Sequence, residues 1–416
     1  MTTQGRIAPY DDATYDPFKE FDRTAGAAKV GNPYPDFAEL RRGGPVHKRD
    51  LRELYDLEGM DGLGDLPDAY TVVTHEAVEK VLRDGQTFSS SGYAESMGMV
   101  MGHSILEMDE PEHRAYRGLV QQAFTRKAMV RWESDLVRPI VNGFIDSFAG
   151  RGRADLVADL TFPFPVRVIA GMLGLPEEDL DTFHAWAVGL TNVGADFEHG
   201  MEASGKLRDY FAGILAERRR QPSEDVITAL AQAELEGKKL TDEDIFAFLR
   251  LLLPAGAETT YRSSSNLLTG LLANPDQLEA LRADRSLMPQ AIEEALRWEP
   301  PLTAIARTTT REVDISGVTV PAGVIINVNM GAANHDPARY PDPERFDIFR
   351  DPQQHMSFAY GPHMCLGMHL ARMETTVAIG SLLDRLPGLR LDPDAPPPEI
   401  RGLAFRAPKE LRVVFD

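Results

Sequence analysis

The stretch Phe358-Ala359-Tyr360-Gly361-Pro362-His363-Met364-Cys365-Leu366-Gly367 holds the only cysteine in a chain of 416 residues. A single thiol forms no internal disulfide. It builds no zinc or iron–sulfur site from cysteines of its own chain either, since those sites need several. Three uses remain: a buried core residue, a nucleophile, or the one axial thiolate of a haem iron. Gly361 and Gly367 flank the thiol, and glycines let backbone approach a flat cofactor closely. Beyond them Leu370, Met373, Val377, Ala378 and Leu382 follow a helical spacing. A helix starting just after the sulfur aims its free N–H groups and positive dipole end at it. That favours thiolate over thiol, and these surroundings favour the third use.

Phe-x-x-Gly-x-x-x-Cys-x-Gly resembles the haem-binding loop of the cytochrome P-450 superfamily, the haem-thiolate monooxygenases. Further matches follow in the family's chain order, from about Asn32 to the C-terminus. One position departs: Ala359 stands where the family often has glycine, and the methyl is expected to cost little. The resemblance implies a mainly α fold with a smaller β lobe (α+β), formed as one domain over residues 1–416. It implies haem b between a long kinked central helix and the loop, with Cys365 as axial thiolate and Phe358, Gly361 and Gly367 around it.

The net charge is −20, from 44 Lys and Arg against 64 Asp and Glu. Nucleic-acid backbones need clustered Lys and Arg, and anionic membranes need basic patches, so neither partner is expected. No stretch reaches about 18 uncharged apolar residues, so no membrane span is expected. Met1 to Asp22 is polar and acidic, unlike a signal peptide. The chain looks like the soluble, cytoplasmic, bacterial type of the family, with no fused flavin or ferredoxin domain. Its electrons are then expected from a ferredoxin and that ferredoxin's NAD(P)H-dependent reductase.

Thr241-Asp-Glu-Asp244 reads as an N-cap with an acidic third position, and Asn274-Pro275 as a stop. Between them, Asp242 to Ala273 spans 32 residues, roughly 48 Å of helix. Pro254 lacks the N–H that would reach the Arg250 carbonyl, so a kink or bulge is expected there. Ala255-Gly256-Ala257-Glu258-Thr259 follows and fits the family's Ala/Gly-Gly-x-Asp/Glu-Thr. The resemblance implies that Gly256 opens space over the iron, Thr259 orders oxygen and water, and Glu258 relays protons. Splitting O2 consumes protons, and a carboxylate is reloaded from water more readily than an alcohol.

Glu294 and Arg297, three apart, share a helix face. With Arg345 of Pro343-Glu-Arg-Phe346 they match the family's buried triad, which supports the haem loop and takes no part in the chemistry. His113 and Arg117, four apart, match a propionate-binding helix. Arg307 and His363 match two further propionate partners, and His355 lies nearby in sequence. By resemblance the substrate pocket takes in the segment Tyr93 to Ile105 with Met97, Met99, Val100 and Met101, the region Trp186 to Phe211, Leu252, Ala255, Thr303, Ile305 and Phe405. These are mostly apolar, and methionine-rich loops adapt to irregular shapes. A hydrophobic small molecule of terpenoid, steroid, alkyl or aromatic type is therefore expected. Arg114, Arg126, Lys127 and Arg372 resemble the docking cations for a ferredoxin.

The resulting function is a monooxygenase that places one atom of O2 in a C–H bond, or performs O-dealkylation or epoxidation. An H2O2-dependent peroxygenase is the alternative within enzymes, and a non-catalytic haem protein binding a small ligand is the alternative outside them. Both lack a use for the acid–alcohol pair Glu258-Thr259.

Overall fold

The computed structural model describes residues 9–57, 68–192 and 196–416. Residues 1–8 of the acidic N-terminal stretch and 193–195 of the Trp186–Phe211 region lie outside it. The helices that carry the site are α1 (Pro17–Thr24), α2 (His75–Arg83), α3 (Glu112–Val120), α4 (Pro163–Leu173) and α5 (Leu180–Thr191). They continue with α6 (Phe197–Arg220), α7 (Asp242–Ala273), α8 (Met288–Trp298) and α9 (Met368–Arg385).

The bounds of α7 are set locally. The Thr241 hydroxyl accepts from the Asp244 amide at 3.2 Å, and the Asp244 carboxylate accepts from the Thr241 amide at 2.7 Å. Two orphan donors are thereby satisfied. At the far end Pro275 opens a new helix and cannot continue the old one. The helix is continuous through Pro254, without a bulge. Pro254 removes one hydrogen bond, but α4, α5, α6, α8 and α9 all pack along the helix and hold its course. Most of its side chains are buried, including polar Ser263, Ser264, Ser265 and Asn266.

The β lobe is built around five strands: β1 (Val46–His47), β2 (Ala69–Val72), β3 (Phe88–Ser89), β4 (Ala304–Thr309) and β5 (Ile325–Asn329). Their order is β1-β2-β5-β4-β3. β5 runs parallel to β2 and antiparallel to β4, with Ile326 opposite Arg307. Two cores result. The larger joins the helices through residues such as Val141, Phe164, Phe211, Leu249, Leu267 and Leu382. The smaller lies on the sheet, with Val72, Val78, Phe88, Ile326 and Val328. The mainly helical architecture with a smaller β part is the one expected. Among the described residues no helix is long and apolar enough to cross a membrane.

Candidate active site

The cysteine loop is folded back on itself before α9 begins. The Cys365 amide donates to the Phe358 carbonyl at 2.9 Å, and the Met364 amide to the Gly361 carbonyl at 3.1 Å. Gly367 is the N-cap of α9. Burial pushes the Cys365 thiol up; the amides of Gly367 and Met368 and the guanidiniums of Arg117 and Arg372 oppose it without cancelling it. The helix start thus faces the sulfur as expected, but it does not by itself make a thiolate. The residue is enclosed by protein and still has accessible surface, so it borders interior space instead of filling a core position.

The glycines of the loop serve different ends. Gly361 has φ +73°, and a Cβ there would lie 2.4 Å from the Leu82 carbonyl oxygen. It is needed for close contact with the end of α2. A Cβ at Gly367 would meet nothing within 4 Å. Ala359 sits at φ +56°, where a side chain costs about 1 kcal/mol. The methyl is therefore more costly than the sequence suggests.

Four cationic or titratable groups meet beside this loop. His113 and Arg117 come from α3, Arg307 from β4 and His363 from the loop. The His113 and His363 rings are 4.0 Å apart. Arg117 Nη2 donates to the Met364 carbonyl at 2.6 Å, and Arg307 Nη1 to the Ala306 carbonyl at 2.7 Å. Burial, helped by His113, Arg307 and Arg117, pushes His363 down to about 3, so it is neutral near pH 7. Among the described residues neither arginine has a carboxylate on its guanidinium; His113 Nδ1 lies 3.4 Å from Glu110, while its Nε2 is buried with no partner. Gathering such groups is costly unless an anion joins them. A flat cofactor with two carboxylates satisfies that donor set, and the propionates of haem are such a pair.

Of two neighbours here, Ser90 was missed in the sequence and Tyr93 was placed only as the start of a substrate-contacting segment. Ser90 Oγ lies 3.1 Å from His363 Nε2, and Tyr93 OH accepts from the Ala306 amide at 2.9 Å. Tyr93 also bears on the Arg307 guanidinium. Neither has a local signal, because each acts through a strand distant in sequence. His355 lies apart from this cluster: its Nε2 is 3.3 Å from Glu293.

On α7, Ala255 is exposed and Thr259 partly so, within a helix otherwise buried at its middle. Four apart, they share a face and border interior space. Thr259 Oγ1 donates to the Ala255 carbonyl at 2.7 Å. Gly256 points elsewhere: a Cβ would lie 2.7 Å from Ile169 Cδ1 of α4. Its lack of a side chain lets α4 approach, so the small residue on the open face is Ala255. Glu258 is 2% exposed. Its Oε2 lies 3.4 Å from Arg262 Nη2, and its Oε1 3.6 Å from His184 Nε2. Burial acts to raise its pKa, but His184 and Arg262 outweigh that and hold it below the ordinary carboxylate value. Acid and alcohol are adjacent in sequence and lie on different faces.

The support behind the loop also differs from expectation. Arg297 makes a bidentate pair with Glu294, at 2.7 and 2.8 Å, and both are buried. The third member is Arg350, whose Nε is 3.3 Å from Glu294 Oε1. Arg345 turns its side chain out toward Asp347 at 3.5 Å. The reason is its backbone: the Arg345 carbonyl faces inward and accepts from both Arg297 and Arg350 at 3.1 Å.

The pocket residues separate into two groups. Met97, Met99, Ala255 and Ile305 keep accessible surface. Val100 and Leu252 are packed into the helical core. Thr303 is fully buried, and its hydroxyl donates to the Leu403 carbonyl at 2.6 Å, tying the C-terminal turn to the start of β4. Phe405 lies against Phe21 of α1, ring centroids 5.1 Å apart. These three buried residues and Phe405 act in packing. Arg114, Arg126 and Lys127 are exposed and carry no ion pair among the described residues. Arg372 is not free: it holds Glu293 in a bidentate pair at 2.6 and 2.8 Å and stacks over Phe358.

Comparison with known proteins gives a consistent result. The family model described as Cytochrome P450 matches residues 181–414. The Cytochrome P450 monooxygenase PikC of Streptomyces venezuelae is 36% identical, over 90% of this chain and 90% of its own. The mycinamicin IV hydroxylase/epoxidase of Micromonospora griseorubida is 36% identical over 84% of this chain and 90% of its own. The crystal structure of CYP109E1 from Bacillus megaterium in complex with testosterone superposes with a TM-score of 0.81 at 34% identity, covering 92% of this chain and 99% of that one.

Proposed function

The chain belongs to the cytochrome P450 family of haem-thiolate, oxygen-incorporating oxidoreductases, and from that premise we propose that it oxidises a hydrophobic small molecule with electrons from a ferredoxin and its NAD(P)H-dependent reductase. In this reading Cys365 is the axial thiolate. His113, Arg117, Arg307 and His363 hold the propionates, and Phe358 and Gly367 border the ring. The whole chain acts as one unit in the cytoplasm. Bound there, haem supplies the iron that activates O2.

The protein's own part is to place the substrate, exclude water and meter protons. Met97, Met99, Ala255 and Ile305 offer an apolar, adaptable surface that carries no charged anchor. Thr259 presents a hydroxyl on the open face of α7, where it orients a water or an oxygen. Glu258, one residue away, is a carboxylate that takes up a proton and passes it on. The relatives' printed names include a mycinamicin hydroxylase and steroid C26-monooxygenases. They support a bulky apolar substrate of the terpenoid, steroid, alkyl or aromatic classes, taken by hydroxylation, O-dealkylation or epoxidation.

The observation that carries this reading is the pairing of a buried, charge-held carboxyl with an accessible alcohol on one helix. A peroxygenase or a passive haem carrier has no use for it. The test is Thr259→Ala with a compound that shifts the ferric spin state. The expected outcome is intact haem and binding spectra, with reducing equivalents diverted to H2O2. Full coupling to product in that variant would remove Thr259 from the mechanism.

A further inference from the structure

Glu258 must be reloaded each time it gives up a proton, yet at 2% exposure it has almost no water of its own. Among the described residues two titratable side chains lie within 4 Å of its carboxylate. Arg262 is permanently protonated and passes no proton on. His184 of α5 stands at the other carboxylate oxygen, with Nε2 3.6 Å from Oε1. That oxygen has no hydrogen-bond partner. His184 is 9% exposed, against 2% for the acid it faces. The ring is set by apolar neighbours: Phe18 of α1 at 4.9 Å, edge-on, and Phe162 at 4.8 Å. Among the described residues, the charged groups bearing on the pair are Glu258 and Arg262 of α7 and Asp22 of α1, with Lys409 behind Asp22.

We propose that His184 is the group that reloads Glu258 with protons from solvent. The imidazolium Nε2–H bond breaks as the Oε1–H bond forms, and the neutral ring then takes its next proton from water. No electrons move. Imidazole suits the task because one ring can both donate a proton and accept the next one. This inference rests on the relay role proposed for Glu258. It differs from a purely steadying contact, since an amide of similar shape steadies the carboxylate but carries no proton.

The test compares the haem-loaded protein with His184→Gln, His184→Ala and Glu258→Gln. O2 and NADH consumption are driven by a surrogate ferredoxin and reductase, without added substrate, from pH 5.5 to 8.5 in H2O and D2O. Haem content and the CO-bound spectrum of each variant control for folding. His184→Gln is expected to slow O2 reduction about tenfold or more, flatten its pH profile and enlarge the solvent isotope effect. Free imidazole is expected to restore His184→Ala. Separately from turnover, 15N NMR of the reduced, CO-bound protein should show the His184 midpoint moving in Glu258→Gln. If Glu258→Gln is slow while His184→Gln keeps the parent rate, profile and isotope effect, the His184 role falls and the Glu258 relay stands. If Glu258→Gln itself behaves as the parent, both fall. An unmoved His184 midpoint also overturns the exchange.

Discussion

At the scale of single residues, position and direction come apart. Arg345 and Arg350 are five apart, and either reads equally well as a partner of Glu294. The structure separates them by where the Arg345 carbonyl points. Arg350→Ala should therefore destabilise by about 1–3 kcal/mol, because Glu294 keeps only one guanidinium in a buried site. Arg345→Ala should stay within about 0.5 kcal/mol, as for an ordinary surface change. Denaturant midpoints of the haem-loaded variants check both, and a larger loss for Arg345→Ala would return it to the triad. Gly361 offers a second pair. Gly361→Ala places a methyl on the Leu82 carbonyl at a positive φ and should cost more than 2 kcal/mol, of the order of a strained overpacked site. Ala359→Gly relieves a positive φ and should stabilise by up to about 1 kcal/mol. Thermal unfolding of the two variants should move in opposite directions.

At the scale of elements, the seam between α7 and α9 holds an acid with no role so far. Glu374 of α9 is 1% exposed, its Oε1 has no partner, and Thr260 of α7 is its hydrogen-bonding neighbour. Burial pushes its pKa from 4.5 up to about 8. Across that window the folded chain holds a proton that the unfolded chain has released. Stability contributed by this group therefore falls as pH rises from about 4.5 to about 8. Glu374→Gln, which stays neutral throughout, should match the parent near pH 5 and unfold at a higher temperature near pH 8.5. Equal melting points at pH 8.5 would show that the acid is ionised or hydrated in the fold. Glu293, which joins α8 to α9 through Arg372, runs the other way. Burial opposes its ionisation, but Arg372 and His355 pull its pKa down to about 2. Its contribution is full above 4.5 and is lost as pH falls toward 2.

The ends of α7 were legible because capping is local: Thr241, Asp244, Asn274 and Pro275 decide them within a few residues. So were the cysteine loop and the meeting of His113, Arg117, Arg307 and His363, each marked by its own short pattern. What stayed hidden depends on a neighbour distant in the chain. Gly256 answers to Ile169, Gly361 to Leu82, Thr303 to Leu403 and Phe405 to Phe21, and nothing near them in sequence names those partners.

On the scale of the whole molecule, charge sets the remaining prediction. With a net charge of −20, the mean field repels an acidic electron donor, so any steering must come from a local patch. Arg114, Arg126 and Lys127 are exposed and unpaired among the described residues, and Arg114 stands on α3, the helix whose Arg117 contacts the Met364 carbonyl beside Cys365. Exposed Val130 lies one turn beyond Arg126 on the same helix. Reversing Arg114 and Arg126 to Glu should raise the KM for an acidic ferredoxin about tenfold at low salt, with little change in kcat. The gap should close as ionic strength passes about 0.1 M, where the Debye length is about 10 Å. Arg372→Glu is expected to behave differently, since it breaks the pair with Glu293 and should lower haem retention at every salt concentration. A salt-independent KM in the double reversal would place the donor on another face, because a contact steered by these charges cannot ignore their screening.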